Sequence, residues 1–362
     1  TVLGVFLLGG TYNNLIGGTG ENEGNVLVRN GRDGARIANF GSTGNHIVGN
    51  LIGVEEDGSP AGNADFGVSI ITGASDNYIG GTEDGSGNTI TNNALAGMEV
   101  NGSQTDRNRI HRNAIFANGG RGIELNFNGN NNAEPPVITG LGPLRGTAEP
   151  LSRIEIFVTD VALNQGRIFV ASGNSDAEGN WTIAAEGLAQ YTNQFLTGTA
   201  TYPDGSTSEF GTPLLIIAPS TEPSLPADVV VVEGDPFTME VQAEGTPDLL
   251  YQWQFSADNS ANDADWTNLT NDGRFSGVTT PVLSNSGATL APQDDRGFYR
   301  CLVTNPVGDT RSRAAQLTVL SNALTSAAVT TLSDVADGDT RSFAHIVTWP
   351  GEDGVISLRE LI

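Results

Sequence analysis

Over the first 134 residues the apolar positions come in short pieces. One to three aliphatic residues are followed by Gly or Asn, as in NNLIGG (Asn13–Gly18) and NHIVGN (Asn45–Asn50). Such pieces are too short for ordinary hairpins and lack the 3.6-residue helical period. A G-x-x-[ILV] phrase recurs at Gly4, Gly34, Gly67, Gly97 and Gly122, in steps of 30, 33, 30 and 25 residues. NLIGG at Asn14 and NYIGG at Asn77, GNVL at Gly24 and GNTI at Gly87, and NHIVGN at Asn45 and NRIHRN at Asn108 share one 63-residue offset. A constant offset marks a repeated unit. The pattern fits a chain that coils so that each circuit stacks on the last. Ile16, Val26, Ile37, Ile47, Ile52, Ile70, Ile79, Ile90, Val100, Ile110 and Ile123 are then the expected internal core. Gly and Asn would hold the corners, where tight or left-handed backbone is needed. Of the 33 asparagines, 22 lie in residues 1–134.

The pattern changes at NNNAEPPVITG (Asn130–Gly140), and longer alternating runs follow: Arg153–Asp160, Gly166–Gly173, Asn180–Ala185 and Phe195–Phe210. Their spacing predicts a small sandwich. A proline-rich linker, Ile217–Asp228, leads into VVVEGDPF, YQWQF and DDRGFYRCLVTNPVG.

These phrases carry resemblances. NNLIGG, GNVLVRNGRDGARI, TGNHIVGNLIG and NGGRGIEL resemble the right-handed parallel β-helix repeats of large bacterial cell-surface and secreted proteins. GTAEPLSRIEIF, DAEGNW and ATYPDGSTSE resemble a bacterial Ig-like domain. The D-x-G-x-Y-x-C phrase ending at Cys301, with Trp253 upstream, resembles an I-set-like immunoglobulin domain. The resemblance implies a strand-C Trp253 and a tyrosine corner at Tyr299, while the strand-B cysteine position holds Val241 and leaves Cys301 without a partner. The tail WPGEDGVISLRELI resembles the cap that opens another β-helix. The expected fold is all-β. A right-handed parallel β-helix of about four coils spans 1–134, a bacterial Ig-like sandwich 135–219 and an I-set-like domain 220–320, with a linker and cap segment over 321–362.

Composition narrows function. The net charge is −25, and all 17 basic residues are Arg. Without lysine there is no Schiff-base enzyme and no P-loop lysine. So acidic a chain is unsuited to nucleic acid, which needs Lys and Arg on its phosphates. No run of 18 apolar residues exists to insert in a membrane. The charge is spread over every module, with −7, −5, −9 and −4 in the four segments.

Candidate chemistry is sparse. His46, His111 and His345 are far apart, which argues against a histidine-based metal site or triad. Arg107, Arg109, His111 and Arg112 form the basic cluster of the first segment; alternation puts Arg107, Arg109 and His111 on one outer face, where an anionic sugar could sit. Hard oxygen donors make calcium the candidate metal. Its candidate ligands are Glu55, Glu56 and Asp57 on one loop; Asp176 and Glu178; Asp204 and Glu209; and Asp258, Asp263 and Asp265. Asp353 and Glu360 match two EF-hand positions, but Trp349 and Gly351 stand where carboxylates are needed. Cys301 reads as a small core residue.

The expectation is a non-catalytic structural segment of a large bacterial surface protein, extracellular, forming a fibre, sheath or adhesive stalk by end-to-end stacking with adjacent units. A carbohydrate-binding or polysaccharide-processing β-helix with Ig-like accessory domains, recognising surface glycans, is the alternative from another class. It would need aromatics along one face, with Phe40, Phe66 and Tyr78 the best placed. A calcium-dependent adhesin is the third reading.

Overall fold

The computed structural model describes residues 2–285 and 295–320. The expected cap over 321–362, with His345, Asp353 and Glu360, lies outside the described residues. The protein is all-β with a few 3-10 turns, and it divides into two compact units. The first runs to Pro219 and adds Gly245–Leu249 and Thr304–Gly308. The second is built, among the described residues, from Ser220–Glu244, Leu250–Val303 and residues 309–320.

In the first unit, thirteen short strands alternate among three sheets. They are β1 (Val5–Leu8), β2 (Leu15–Gly17), β3 (Val26–Leu27), β4 (Ala35–Ala38), β5 (His46–Val48), β6 (Leu51–Ile52), β7 (Val68–Ile71), β8 (Tyr78–Gly80), β9 (Thr89–Thr91), β10 (Met98–Asn101), β11 (Arg109–His111), β12 (Ala114–Phe116) and β13 (Ile123–Asn126). The sheet orders are β1-β4-β7-β10-β13, β2-β5-β8-β11 and β3-β6-β9-β12. Every pairing is parallel. The chain visits the three sheets in rotation, an arrangement compatible with a β-helix. Val5 pairs with Ala35, Ala35 with Val68, Val68 with Met98 and Met98 with Ile123, which reproduces the 30, 33, 30 and 25 steps of the sequence.

Side chains alternate in and out along each strand. Ile37, Ile47, Ile52, Ile70, Ile79, Ile90, Val100, Ile110 and Ile123 all point inward and are at most 3% exposed. One core assignment shifts by a residue. Leu27 registers with Ile52 and is buried, while Val26 registers with Leu51 on the outer side. A one-residue slip in reading a two-residue strand moves the inward position to its neighbour.

The asparagines form three ladders, buried except at their first rungs Asn14 and Asn25. Asn14, Asn45, Asn77 and Asn108 are joined Nδ2 to Oδ1 at 2.8, 2.9 and 3.0 Å. Asn25, Asn50, Asn88 and Asn113 are joined at 2.9, 2.9 and 2.8 Å, and Asn30, Asn63, Asn93 and Asn118 at 2.8, 2.8 and 2.9 Å. Each receiving Oδ1 also accepts the backbone N–H of the asparagine one circuit earlier, as Asn88 does from Asn50 at 2.9 Å. The ladders satisfy corner backbone that would otherwise be buried without partners.

The first sandwich adds β14 (Val137–Leu141), β15 (Leu144–Thr147), β16 (Arg153–Thr159), β17 (Ile168–Asn174), β18 (Asn180–Ile183), β19 (Phe195–Thr201) and β20 (Leu214–Leu215). Its antiparallel sheets have orders β14-β15-β18 and β17-β16-β19-β20. Ile154, Ile156 and Val158 of β16 enter the sandwich's own core with Trp181 and Leu196. The alternate residue Phe157, with Phe210, enters the core of the parallel region.

The second unit has one larger sheet, ordered Val229–Val232, Ala315–Leu320, Gly297–Asn305, Leu250–Ser256 and Thr267–Asn268. A three-stranded sheet holds Phe237–Glu240, Val282–Asn285 and Phe275–Ser276. Trp253 and Cys301 are fully buried, and Val241 is 2% exposed. The Tyr299 hydroxyl donates to the Asp295 carbonyl at 3.0 Å, the tyrosine corner expected from the sequence. Burial raises the Tyr299 hydroxyl pKa and pushes the Cys301 thiol up to about 12.

Candidate functional site

The basic cluster does not form a shared outer face. Arg107 donates to Asp76 through Nε and Nη2, both at 2.9 Å, and reaches Asp106 at 2.7 Å. That fork holds the Asp76 carboxyl below the usual carboxylate range. Arg109 lies over the Tyr78 ring, 5.2 Å from its centre, and Tyr78 stacks on His46 at 4.5 Å. Partial burial lowers the His46 pKa. Arg112 lies 4.6 Å over Phe169 and reaches Asp84 at 2.8 Å.

His111 points into the joint with the first sandwich, where its Nδ1 lies 3.5 Å from Glu155 on β16. The Glu155 carboxylate is 1% exposed. It accepts the Arg112 backbone N–H at 2.8 Å and Arg153 Nε at 3.1 Å. Burial works to raise this carboxyl, but His111, the Arg112 N–H and Arg153 together hold it below the usual range. Strand alternation places His111 correctly on the outer side of β11; what it cannot show is that a strand 44 residues later covers that side.

The rest of the joint reproduces what a further circuit would offer. Ile115 and Gly166 exchange backbone hydrogen bonds at 2.7 and 2.9 Å. Gln165 stands in for the next ladder asparagine. Its Oε1 accepts the Asn118 N–H at 3.1 Å, and its Nε2 donates to the Gly120 carbonyl at 2.7 Å. Thr207 accepts the Ile110 N–H at 3.0 Å through its hydroxyl, and its carbonyl accepts Asn130 Nδ2 at 2.9 Å. Glu209 accepts the Leu125 N–H at 3.0 Å. Gln165, Thr207 and Phe210 were not legible as a group, since their roles arise only from packing against an earlier segment.

Most of the candidate calcium carboxylates have protein partners or turn roles. Glu55 pairs with Arg29, and Asp57 accepts the Ser59 N–H at 2.9 Å; Glu56 neighbours them on the same loop. Asp176 closes its turn by accepting the N–H groups of Glu178 and Asn180 at 3.0 and 2.8 Å. Asp204 accepts the Ser206 N–H at 2.7 Å and Asn131 Nδ2 at 3.1 Å, whereas Glu209 pairs with Arg121. Asp263 bridges Arg300 at 2.8 Å and Arg311 at 2.9 Å, Asp265 accepts the Ser260 hydroxyl at 2.6 Å, and Asp258 accepts that of Ser256 at 3.2 Å. These are the bonds of turns and ion pairs. Among the described residues, no three His, Cys, Asp or Glu side chains come together as a metal group. Nor, among them, is any helix long and apolar enough to cross a membrane.

Comparison with known proteins bears on the second unit. Residues 222–319 match the immunoglobulin I-set domain. Solved structures similar to the chain include extracellular domains 3–5 of Drosophila OTK, at 19% identity and a TM-score of 0.25, covering 48% of this chain and 55% of that one. The titin I-band fragment I67–I69 is 16% identical with a TM-score of 0.26, covering 49% and 59%. The four N-terminal Ig domains of Dscam1 isoform 4.44 are 14% identical with a TM-score of 0.26, covering 52% of each chain. No curated protein matches the chain.

Proposed function

We propose that this chain is a non-catalytic structural module of a bacterial surface protein, in which a right-handed parallel β-helix and Ig-like sandwiches form part of an extracellular fibre or adhesive stalk. The observation that carries this reading is the sealed joint. Phe157 and Phe210 complete the core of the parallel region, while Gln165, Thr207, Glu155 and Glu209 occupy the hydrogen-bonding positions at its C-terminal end. A free strand edge is a ready template for pairing, and this end is closed by the same polypeptide. On this reading the C-terminal end of the parallel region is joined to the next module through the chain, and end-to-end stacking with another unit would use the opposite, β1 edge. The I-set match supports the extracellular setting. The closest approach to a reactive pair, His111 with Glu155, is buried in the joint and serves to hold two elements together.

The test is localisation together with activity. Antibodies raised against the purified chain are expected to label intact, unpermeabilised cells of the source bacterium, and the chain is expected to leave acidic and neutral polysaccharides at full length. Labelling only after permeabilisation, or shortening of a polysaccharide, would overturn the reading.

A further inference from the structure

One corner of the parallel region departs from the chemistry of its own repeat. The residue directly after each strand of the first sheet is left-handed: Gly9 (φ 73°), Asn39 (75°), Thr72 (59°), Gly102 (111°) and Phe127 (49°). Glycine and asparagine tolerate this conformation; a β-branched or bulky side chain, as at Thr72 and Phe127, adopts it only under strain. Phe127 is also 82% exposed, so burial does not offset that strain. Its backbone is held from both sides. The Asn126 carbonyl accepts the Gly102 N–H at 3.0 Å, and Asn130 is tied into the joint with the first sandwich. A strained, exposed aromatic on an over-determined backbone points to a role outside the fold.

A second ring stands on the same edge. Phe40, 64% exposed, lies against Gly73, where a Cβ would come within 2.4 Å of the ring. Asn39 and Phe127 occupy equivalent corner positions three strand spacings apart, about 14 Å. Between them the edge carries Thr72, Gly73, Gly102 and Ser103, all small, which leave it low. Beside it, outward Asn101 and Asn126 both donate to the Glu99 carboxylate, at 2.9 and 3.1 Å, and are thereby fixed in place.

We propose that this ledge binds a neutral polysaccharide. The apolar faces of sugar rings would lie on Phe40 and Phe127, and the hydroxyls would meet the carbonyl oxygens of Asn101 and Asn126 and the Glu99 carboxylate. Charge selects a neutral polymer. Glu99 registers with Glu124 on this face, and Arg36, in the same outward row, is held by the buried Asp33 at 2.5 Å. An anionic chain would meet carboxylates without a free cation.

Affinity gel electrophoresis of the full chain through hydroxyethylcellulose, galactomannan or polygalacturonate tests the proposal, with Phe127→Asn and Phe40→Ala as variants. At least one neutral polymer is expected to retard the protein, and each variant to bind it about tenfold more weakly or worse. Phe127→Asn places at this corner the residue found at position 39, so its melting temperature should equal or exceed that of the parent. Weaker binding with undiminished stability separates a ligand contact from a structural one. No retardation by either neutral polymer, retardation by polygalacturonate alone, or neutral binding that survives both substitutions would each overturn the proposal.

Discussion

Asn88 shows what one residue contributes to the parallel region. It accepts from Asn50, donates to Asn113 at 2.8 Å and to the Ile47 carbonyl at 2.7 Å, and is 1% exposed. Asn88→Ala leaves several buried polar groups unpaired and is expected to cost about 3 kcal/mol in urea denaturation, near the upper end for such losses. Asn14→Ala, at an exposed rung, should cost less than about 1 kcal/mol; equal losses would show that the ladders do not act through burial. The thiol of Cys301 is expected to stay unreactive toward a disulfide reagent until denaturant is added, because burial holds it protonated near neutral pH. Rapid labelling in buffer would contradict that. The asparagines were legible as corner residues from their recurrence alone. That they form ladders was not, because recurrence gives a position in each circuit but not the direction of an amide. Phe127 was equally hidden, since a phenylalanine after a strand reads as an ordinary apolar residue until its φ is known.

Strand β16 serves two cores at once, which makes the first sandwich a structural part of the region it follows. Phe210→Ala is expected to destabilise the first unit by about 3–5 kcal/mol, the usual cost of emptying a buried aromatic site. A loss confined to the sandwich, with the parallel region melting unchanged, would show that the two fold separately. Glu155 adds a pH dependence. Its carboxyl lies below its ordinary value of 4.5 in the folded state, so its stabilisation is complete above that value and is lost as pH falls through the folded one. Glu155→Gln should therefore cost about 2 kcal/mol at neutral pH, and the gap between variant and parent should shrink below about pH 4. A gap constant with pH would remove the carboxylate from the account. At this scale the sequence was informative where contacts are local or periodic. The 63-residue offset announced stacked circuits, and D-x-G-x-Y-x-C announced the tyrosine corner. The joint was not legible, because pairs such as Asn118 with Gln165 and His111 with Glu155 are fixed by packing and not by period.

Over the whole molecule the charge of −25 is self-repelling. Raising salt from about 10 mM to 150 mM shortens the screening length from about 30 to 8 Å and is expected to raise the melting temperature. Calcium and magnesium at equal ionic strength should act alike, because Asp263, Glu55 and Glu209 are already paired with arginine. A larger rise with calcium alone would reveal a specific site. The ladders carry a further consequence. Within each, the linking Oδ1 atoms face the preceding circuit, so three rows of side-chain amides point the same way, each with a dipole of about 3.5 D if it matches a backbone peptide. The ladders therefore add to the parallel region a dipole that is negative toward β1 and positive toward β13. Glu155 and Glu209 sit at the positive end, as acidic residues do at the start of an α-helix. Such a region has a head and a tail, and any neighbour lying alongside it can tell up from down.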